Sequence, residues 1–464
     1  MQAHALLLAR LQFAFTVSFH IIFPAFSIGL SAFIATLLIA WRRTGQDHFH
    51  RLARFWTRIF AVAFAMGVVS GIPMSYEFGT NWSRFARAGG NVIGPLMGYE
   101  VLTAFFLEAT FLGVMLFGWR RVPPWLHVTA AALVALGTAI SGFWILAANS
   151  WMHTPAGYEL IHGVIYPTDW LQIIFNPSFP DRFAHMMTAA YLTTSVVVLA
   201  VGARYRLSGR FDAEARTMLR MGLGMVAALA PLQLLLGDHS GLTALRHQPA
   251  KIAAIEAHWE GRGPAPLVLF ALPDQDGERN RAELAVPHLG SLILAHSWDG
   301  RVTALKDFPA RERPPVLPVF FAFRLMVGIG LALIALGLWG AWRWVRGRLF
   351  MPGAYLRLAS WCWPLGFVAI LAGWLTTESG RQPWVVYGVL RTADAAAPVG
   401  ATPLAVSLAL FVLVYCAVFS IGIRYIHLLI ERGPEPALIA PPAGAQGLPN
   451  RPLSLGRAAA EPHR

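Results

Sequence analysis

The stretch LQFAFTVSFHIIFPAFSIGLSAFIATLLIAW, residues 11–41, contains no Asp, Glu, Lys or Arg and only one ionisable side chain, His20. A spanning helix needs about 20 mostly apolar residues, so this stretch crosses a bilayer with length to spare. Comparable runs follow at residues 55–74, 92–119, 125–148, 183–201, 218–237, 316–342, 355–377 and 401–423. Together they predict an all-α integral membrane protein, a bundle of nine transmembrane helices with a long outer loop between helices six and seven. Helices one to six occupy 1–237, the loop 238–315 and helices seven to nine 316–432, followed by a Pro/Ala/Gly-rich tail over 433–464 that reads as disordered.

The composition agrees. Of the 464 residues, 56% are hydrophobic and 13% charged, with a mean hydropathy of +0.53, far from a soluble globular chain. The formal charge of +13 does not point to nucleic acid, because the arginines lie in short clusters between apolar runs, where positive charge sets topology. Arg42, Arg43, Arg51 and Arg54 follow span one; Arg120 and Arg121 follow span three; Arg204, Arg206, Arg210 and Arg216 follow span five; Arg343, Arg346, Arg348 and Arg357 follow span seven. This alternation places the amino terminus outside, the carboxyl terminus inside and the long loop on the outer face. The amino terminus has no cleavage pattern and reads as retained. Cys362 and Cys416 lie far apart inside apolar runs, which supports neither a disulfide framework nor a thiolate metal site.

An ionisable side chain in hydrocarbon costs roughly 2.5–3.5 kcal/mol on insertion scales, so each one marks a functional position. His20, Glu100, Glu108 and Glu378 stand out, with His185, Arg324 and Met326 near them along the outer half of the bilayer. Taken singly, each histidine reads equally as a core residue bonded to a carbonyl, and Met326 as packing. Taken as a set they offer His with Met, an axial pair for an electron-transfer haem, and single ligands that leave an iron open to a small molecule. Glu100 and Glu108 step inward along one helix with a rise of about 12 Å, as a proton relay or as neutral acids joining helices. His127 is a further candidate at the inner end of span four. In the loop, KIAAIEAHWE at 251–260 places Lys251 and Glu256 on a short helix beside His258 and Trp259. That group suits binding and deprotonation of a quinol, or a solvated amphipathic helix.

Nine stretches then match one family in order: SFHIIFP at 18–24, FGTNW at 78–82, GYEVLTAFFLEATFLG at 98–113, WILAANSWM at 144–152, FAHMMTAAYL at 183–192, GDHSG at 237–241, KIAAIEAHWE at 251–260, FRLMVGIG at 323–330 and GWLTTESGRQPW at 373–384. Over nearly its whole length the chain resembles subunit I of the cytochrome bd-type quinol oxidases, most closely the short-loop, cyanide-insensitive branch. The resemblance implies that His185 and Met326 ligate a low-spin haem b with Arg324 close by. His20 and Glu378 would ligate a high-spin haem b and the oxygen-site haem, either haem d or a further haem b, with the assignment between them open. It further implies Trp374 among the haems, Arg381 neutralising propionates, and Gln382 and Trp384 bracing the helix end. Lys251 and Glu256 would belong to a quinol-binding loop, and Glu100 and Glu108 would deliver protons. A second membrane subunit (subunit II), a small accessory subunit in some members, membrane quinol and oxygen are the implied partners. The implied site is the bacterial inner membrane, amino terminus periplasmic and carboxyl terminus cytoplasmic. A bis-histidine cytochrome b or a haem-copper oxidase would need paired or clustered histidines in the spans, which are missing; a proton-coupled transporter would use Glu100 and Glu108 without haem.

Overall fold

The structure is a computed structural model describing residues 2–261 and 263–434. The expected disordered tail lies, from residue 435 on, outside the described residues. Helices α1 (Gln2–Thr44), α2 (Asp47–Gly79) and α3 (Ser83–Glu100) lead into a π-helical turn, Val101–Phe105, and then α4 (Phe106–Phe117) and α5 (Pro124–His153). The short hairpin β1 (Tyr158–Ile161) and β2 (Val164–Pro167) and a one-turn α6 (Trp170–Ile174) precede α7 (Phe179–Leu207) and α8 (Asp212–His247). After α9 (Pro249–Glu256) come the antiparallel hairpin β3 (Leu267–Asp274) and β4 (Arg279–Val286) and α10 (Leu289–Ala295). The chain then returns through α11 (Val316–Val345), α12 (Ala354–Trp361) and α13 (Leu365–Gly380). A small hairpin, β5 (Trp384–Val386) and β6 (Leu390–Arg391), and α14 (Thr392–Ala395) lead to α15 (Ala401–Arg432).

Among the described residues eight helices are long and apolar enough to span a membrane, and α12 with α13 forms a ninth span bent by 46°. The predicted eighth span is therefore broken rather than straight. Pro364 stands at its break, where proline denies a helical hydrogen bond and crowds the preceding turn. The sixth helix runs to His247, past the expected loop start at Asp238. Polarity alone set that earlier boundary, and a helix end that leaves hydrocarbon stays helical when neighbours pack on it.

α1 and α7 form the interior, with most of their apolar windows buried, whereas α3–α4 and α15 expose most of theirs, as lipid-facing or subunit-facing helices do. Leu30, Ile34, Leu37 and Leu38 of α1 interlock with Trp56, Ile59 and Phe60 of α2. Leu219, Leu223 and Val226 of α8 pack on Val196 and Leu199 of α7 and on Leu333 and Leu336 of α11. The segment between α8 and α11 has its own apolar base: Ile252, Ile255, Trp259 and Val268 close onto Val319 and Phe320 of α11. It is a folded cap on what we call the loop end of the bundle, where α1 begins and α2, α5, α8 and α13 finish.

Candidate functional site

At the loop end, the last turn of α13 presents Glu378 to α5. Asn149 Nδ2 donates to its Oε1 at 3.0 Å and His153 Nε2 lies 3.2 Å from the same oxygen. Asn149 and His153 are one turn apart on α5, so a single helix face grips the carboxylate. Arg381 Nη2 donates to Oε2 at 2.5 Å from three residues further along the chain. Arg182, in the first turn of α7, donates to Asn149 Oδ1. Lys251 Nζ lies 3.1 Å from the other ring nitrogen of His153, Nδ1, and Gln248 Nε2 donates to the His153 carbonyl at 2.7 Å. Lys251 is buried, and burial, with Arg182 close by, pushes its ammonium well below the usual lysine range. Three basic side chains thus surround one carboxylate, and among the described residues Arg381 Nε and Nη1 and Arg182 Nε are buried without a partner. Buried charge is stable only when paired; the cluster is built to receive further anionic groups.

The four candidate ligands lie on separate helices. His20 Nδ1 is 3.1 Å from Ser70 Oγ, and that hydroxyl already donates to the carbonyls of Met66 and Gly67, at 2.9 Å each. Ser70 therefore accepts from Nδ1–H, which leaves the Nε2 lone pair for a metal. The His185 imidazole is flanked by Gln233, whose Nε2 is 3.1 Å from His185 Nε2, and by Gly237 one turn on along α8. A methyl at Gly237 would lie 3.2 Å from His185 Cε1, and one at Gly373 would lie 2.8 Å from Met326 Sδ. The missing side chains leave the imidazole and the thioether the room they occupy. Trp374 is half-buried on α13, one turn before Glu378. Gln382 donates to the Glu378 carbonyl at 3.4 Å and accepts from Thr392 Oγ1 at 2.8 Å. The Arg391 guanidinium stands 4.7 Å over the Trp384 ring. The helix end is braced on both sides.

The loop residues that looked like one group are divided. Lys251 faces the Glu378 cluster, whereas Glu256 accepts from Arg324 Nη2 at 3.0 Å. Arg324 also donates to the carbonyls of Ile255 and Val268 and lies 3.6 Å over the Phe320 ring, so it ties the cap to α11. His258 Nε2 is held 2.8 Å from the Pro266 carbonyl, and Trp259 Nε1 donates to Asn280 Oδ1 at 2.9 Å; both are structural. The alternative of a solvated amphipathic helix fails, because Lys251 and Glu256 are 6% and 5% exposed.

Deeper in the bundle, Ser141 Oγ donates to Glu100 Oε1 at 2.7 Å, and Glu108 lies against Gly137, where a methyl would stand 2.6 Å from its Cγ. Eight residues of regular helix would turn the two carboxyls about 80° apart. The π turn at 101–105 acts as an inserted residue and brings the offset to about 20°, so both face α5. Their α5 partners, Ser141 and Gly137, lie four residues apart on one face of that helix. Beside the pair an apolar cleft of about 400 Å³ is lined by Thr103, Ala139, Ile140, Phe143, Trp144 and Phe183. His127 Nε2 is 3.0 Å from the Met115 carbonyl, a local tie across α4 and α5.

Sequence reasoning passed over His153 and Arg182 because both stand at helix ends, where polar residues are ordinary. The signal available for Arg182 was its position one turn before His185; for His153 it was its place directly after the motif WILAANSWM at 144–152, which already contained Asn149.

These features define a class: a multi-span helical membrane protein with a buried polar centre rich in basic groups at one end and a pair of acidic side chains within the bundle. The profile described as "Cytochrome bd terminal oxidase subunit I" matches residues 8–434. "Cytochrome bd-II ubiquinol oxidase subunit 1" of Escherichia coli (strain K12) is 31% identical, covering 95% of this chain and 99% of its own. "Cytochrome bd ubiquinol oxidase subunit 1" of Bacillus subtilis (strain 168) is 35% identical, covering 85% of this chain and 86% of its own. The solved bd oxidase from Geobacillus thermodenitrificans superposes with a TM-score of 0.85 at 31% identity, covering 93% of this chain and 99% of that one. The chain belongs to the cytochrome bd terminal oxidase subunit I family. Membership implies haem cofactors and a quinol substrate, and the residues present fit haem on two counts. Imidazole, thioether and carboxylate donors stand on separate helices, and the partnerless arginine nitrogens beside Glu378 suit propionate carboxylates.

Proposed function

We propose that the chain is the catalytic subunit of a terminal oxidase that oxidises membrane quinol at the outer face and reduces oxygen to water, working with a second membrane subunit in the bacterial inner membrane. His185 and Met326 hold a low-spin haem b. His20 and Glu378 hold the other two haems, a high-spin haem b and an oxygen-site haem of d or b type. When bound, the haems supply one-electron transfer and the iron at which oxygen is reduced. The chain supplies the rest. Glu256, with Oε2 anchored by Arg324, takes a quinol proton at its other oxygen. Lys251 presents its amine on the same short helix, toward His153. His153 couples that helix to Glu378 through its two ring nitrogens, so a change of charge on one side is felt on the other. Protons for water formation move from the inner face through Glu108 to Glu100, and the membrane is charged because the two proton sets use opposite faces.

The observation that carries this reading is the loop-end cluster, where a loop lysine, two arginines from different helices and a carboxylate ligand close on one buried point with arginine nitrogens to spare. The test is Met326→Leu. The variant protein should remain in the membrane, lose the low-spin haem spectrum and lose quinol oxidation; an unchanged spectrum refutes the ligand set. Haem extraction as the pyridine complex, counted per polypeptide, identifies the oxygen-site haem.

A further inference from the structure

Another buried carboxyl, which the oxidase reading leaves unused, lies between α1, α2 and α15 at the loop end. Glu77, in the last turn of α2, is 1% exposed. Its Oε1 accepts from Thr16 Oγ1 at 2.6 Å, and among the described residues no cation pairs with it. Around it Gln12, Asn81 and Trp82 are also buried, and Gln12 Nε2 donates to Ser407 Oγ of α15 at 3.1 Å. Four buried polar atoms here have no partner: Glu77 Oε2, Gln12 Oε1, Asn81 Nδ2 and Trp82 Nε1. They are a mixture of donors and acceptors without partners, from α1, the last turn of α2 and the turn that joins α2 to α3. Buried polar groups left so are met by ordered water, which needs two to four such partners. Thr16 is one turn from His20 on α1, about 6 Å along the axis, and Tyr415 of α15 donates to the Ser70 carbonyl at 3.2 Å beside the hydroxyl that holds His20.

We propose that Glu77, Gln12, Thr16, Asn81 and Trp82 line a hydrated proton-exchange chamber that joins the His20 level of the bundle to the water at the loop end. Its role rests on the reading of His20 as an iron ligand. A negative charge arriving at that level is compensated by one proton taken up on Glu77 from the loop-end water, and the proton leaves when the charge does. One proton moves per electron and nothing else is consumed. The chamber is separate from Glu100 and Glu108, which face α5 on the other side of α1.

The test compares wild type with Glu77→Gln and Thr16→Val in the assembled oxidase. In an acid titration, the infrared difference between wild type and Glu77→Gln should gain a carboxyl stretching band that shifts in heavy water; this arm needs no haem and stands whether or not the oxidase reading does. In redox-induced spectra the same band should respond in wild type and vanish in Glu77→Gln, with haem content unchanged and turnover lowered about tenfold. Thr16→Val, which keeps the carboxyl but removes its hydrogen bond, should retain the redox-linked band and most of the turnover. A Glu77 band insensitive to heavy water, or wild-type turnover in Glu77→Gln, overturns the proposal. Equal losses in Glu77→Gln and Thr16→Val without a redox-linked band would reduce Glu77 to a clamp between α1 and α2.

Discussion

Two buried polar regions of this bundle face opposite electrostatic problems. At the loop end, Arg182, Arg381 and Lys251 surround one carboxylate, Glu378. Along α3–α4, Glu100 and Glu108 lie against α5 with a serine and a glycine for neighbours and, among the described residues, no cation paired with them. The first is completed by anions and fails without its charges. The second is stable only while its carboxyls hold protons, since an isolated buried carboxylate is far more costly than a buried acid. Under the proposed function, the cofactor site and the proton path are thus distinguished by the sign of their imbalance.

Removing a cation from the first region should have the largest effect. Arg381→Leu leaves Glu378 without its closest partner, a loss of about 3–5 kcal/mol for a broken buried pair, and the purified complex should contain markedly less haem per polypeptide. Normal haem content in that variant would break the comparison. Glu108→Gln should act quite differently, leaving haem content intact and quinol still able to reduce the enzyme while oxygen-reducing turnover falls about a hundredfold. Stopped-flow reduction alongside oxygen consumption separates the two steps. Gly137→Ala sharpens the same point without touching a charge. The added methyl would meet Glu108 Cγ at 2.6 Å, a misfit worth about 1–3 kcal/mol, and should lower the thermal midpoint and turnover several-fold with unaltered haem spectra. The smallest effect is expected for His153→Gln, which can keep one of the two contacts at a cost of about 0.5–1.5 kcal/mol. Steady-state kinetics should show turnover down by no more than about tenfold with quinol binding little changed.

The second region also shows why spacing alone misleads. On a regular helix, eight residues would turn the two carboxyls about 80° apart; the π turn that brings them onto one face has no mark in VLTAF. The loop motif erred in the other direction. Lys251 and Glu256 are five residues apart and were expected to act together, yet the helix carrying them is buried on both sides, so one reaches α5 and α13 and the other α11. The positions of His20, Glu100, Glu108 and Glu378 were legible because hydrocarbon makes a lone ionisable group conspicuous. Arg182 and His153 were not, because at a helix end such residues are usually solvated, and only packing shows these two to be enclosed.

The sequence by itself determined that nine apolar stretches cross a bilayer and which ionisable groups lie within them, because transfer to hydrocarbon is a property of each side chain and its near neighbours. Only the tertiary structure decided that Lys251 meets Glu378 through His153, that Arg324 holds Glu256 and that the acid pair shares one face. Those outcomes depend on which helix ends converge and where a helix is bent or overwound, and contacts between residues hundreds of positions apart leave no local trace in the chain.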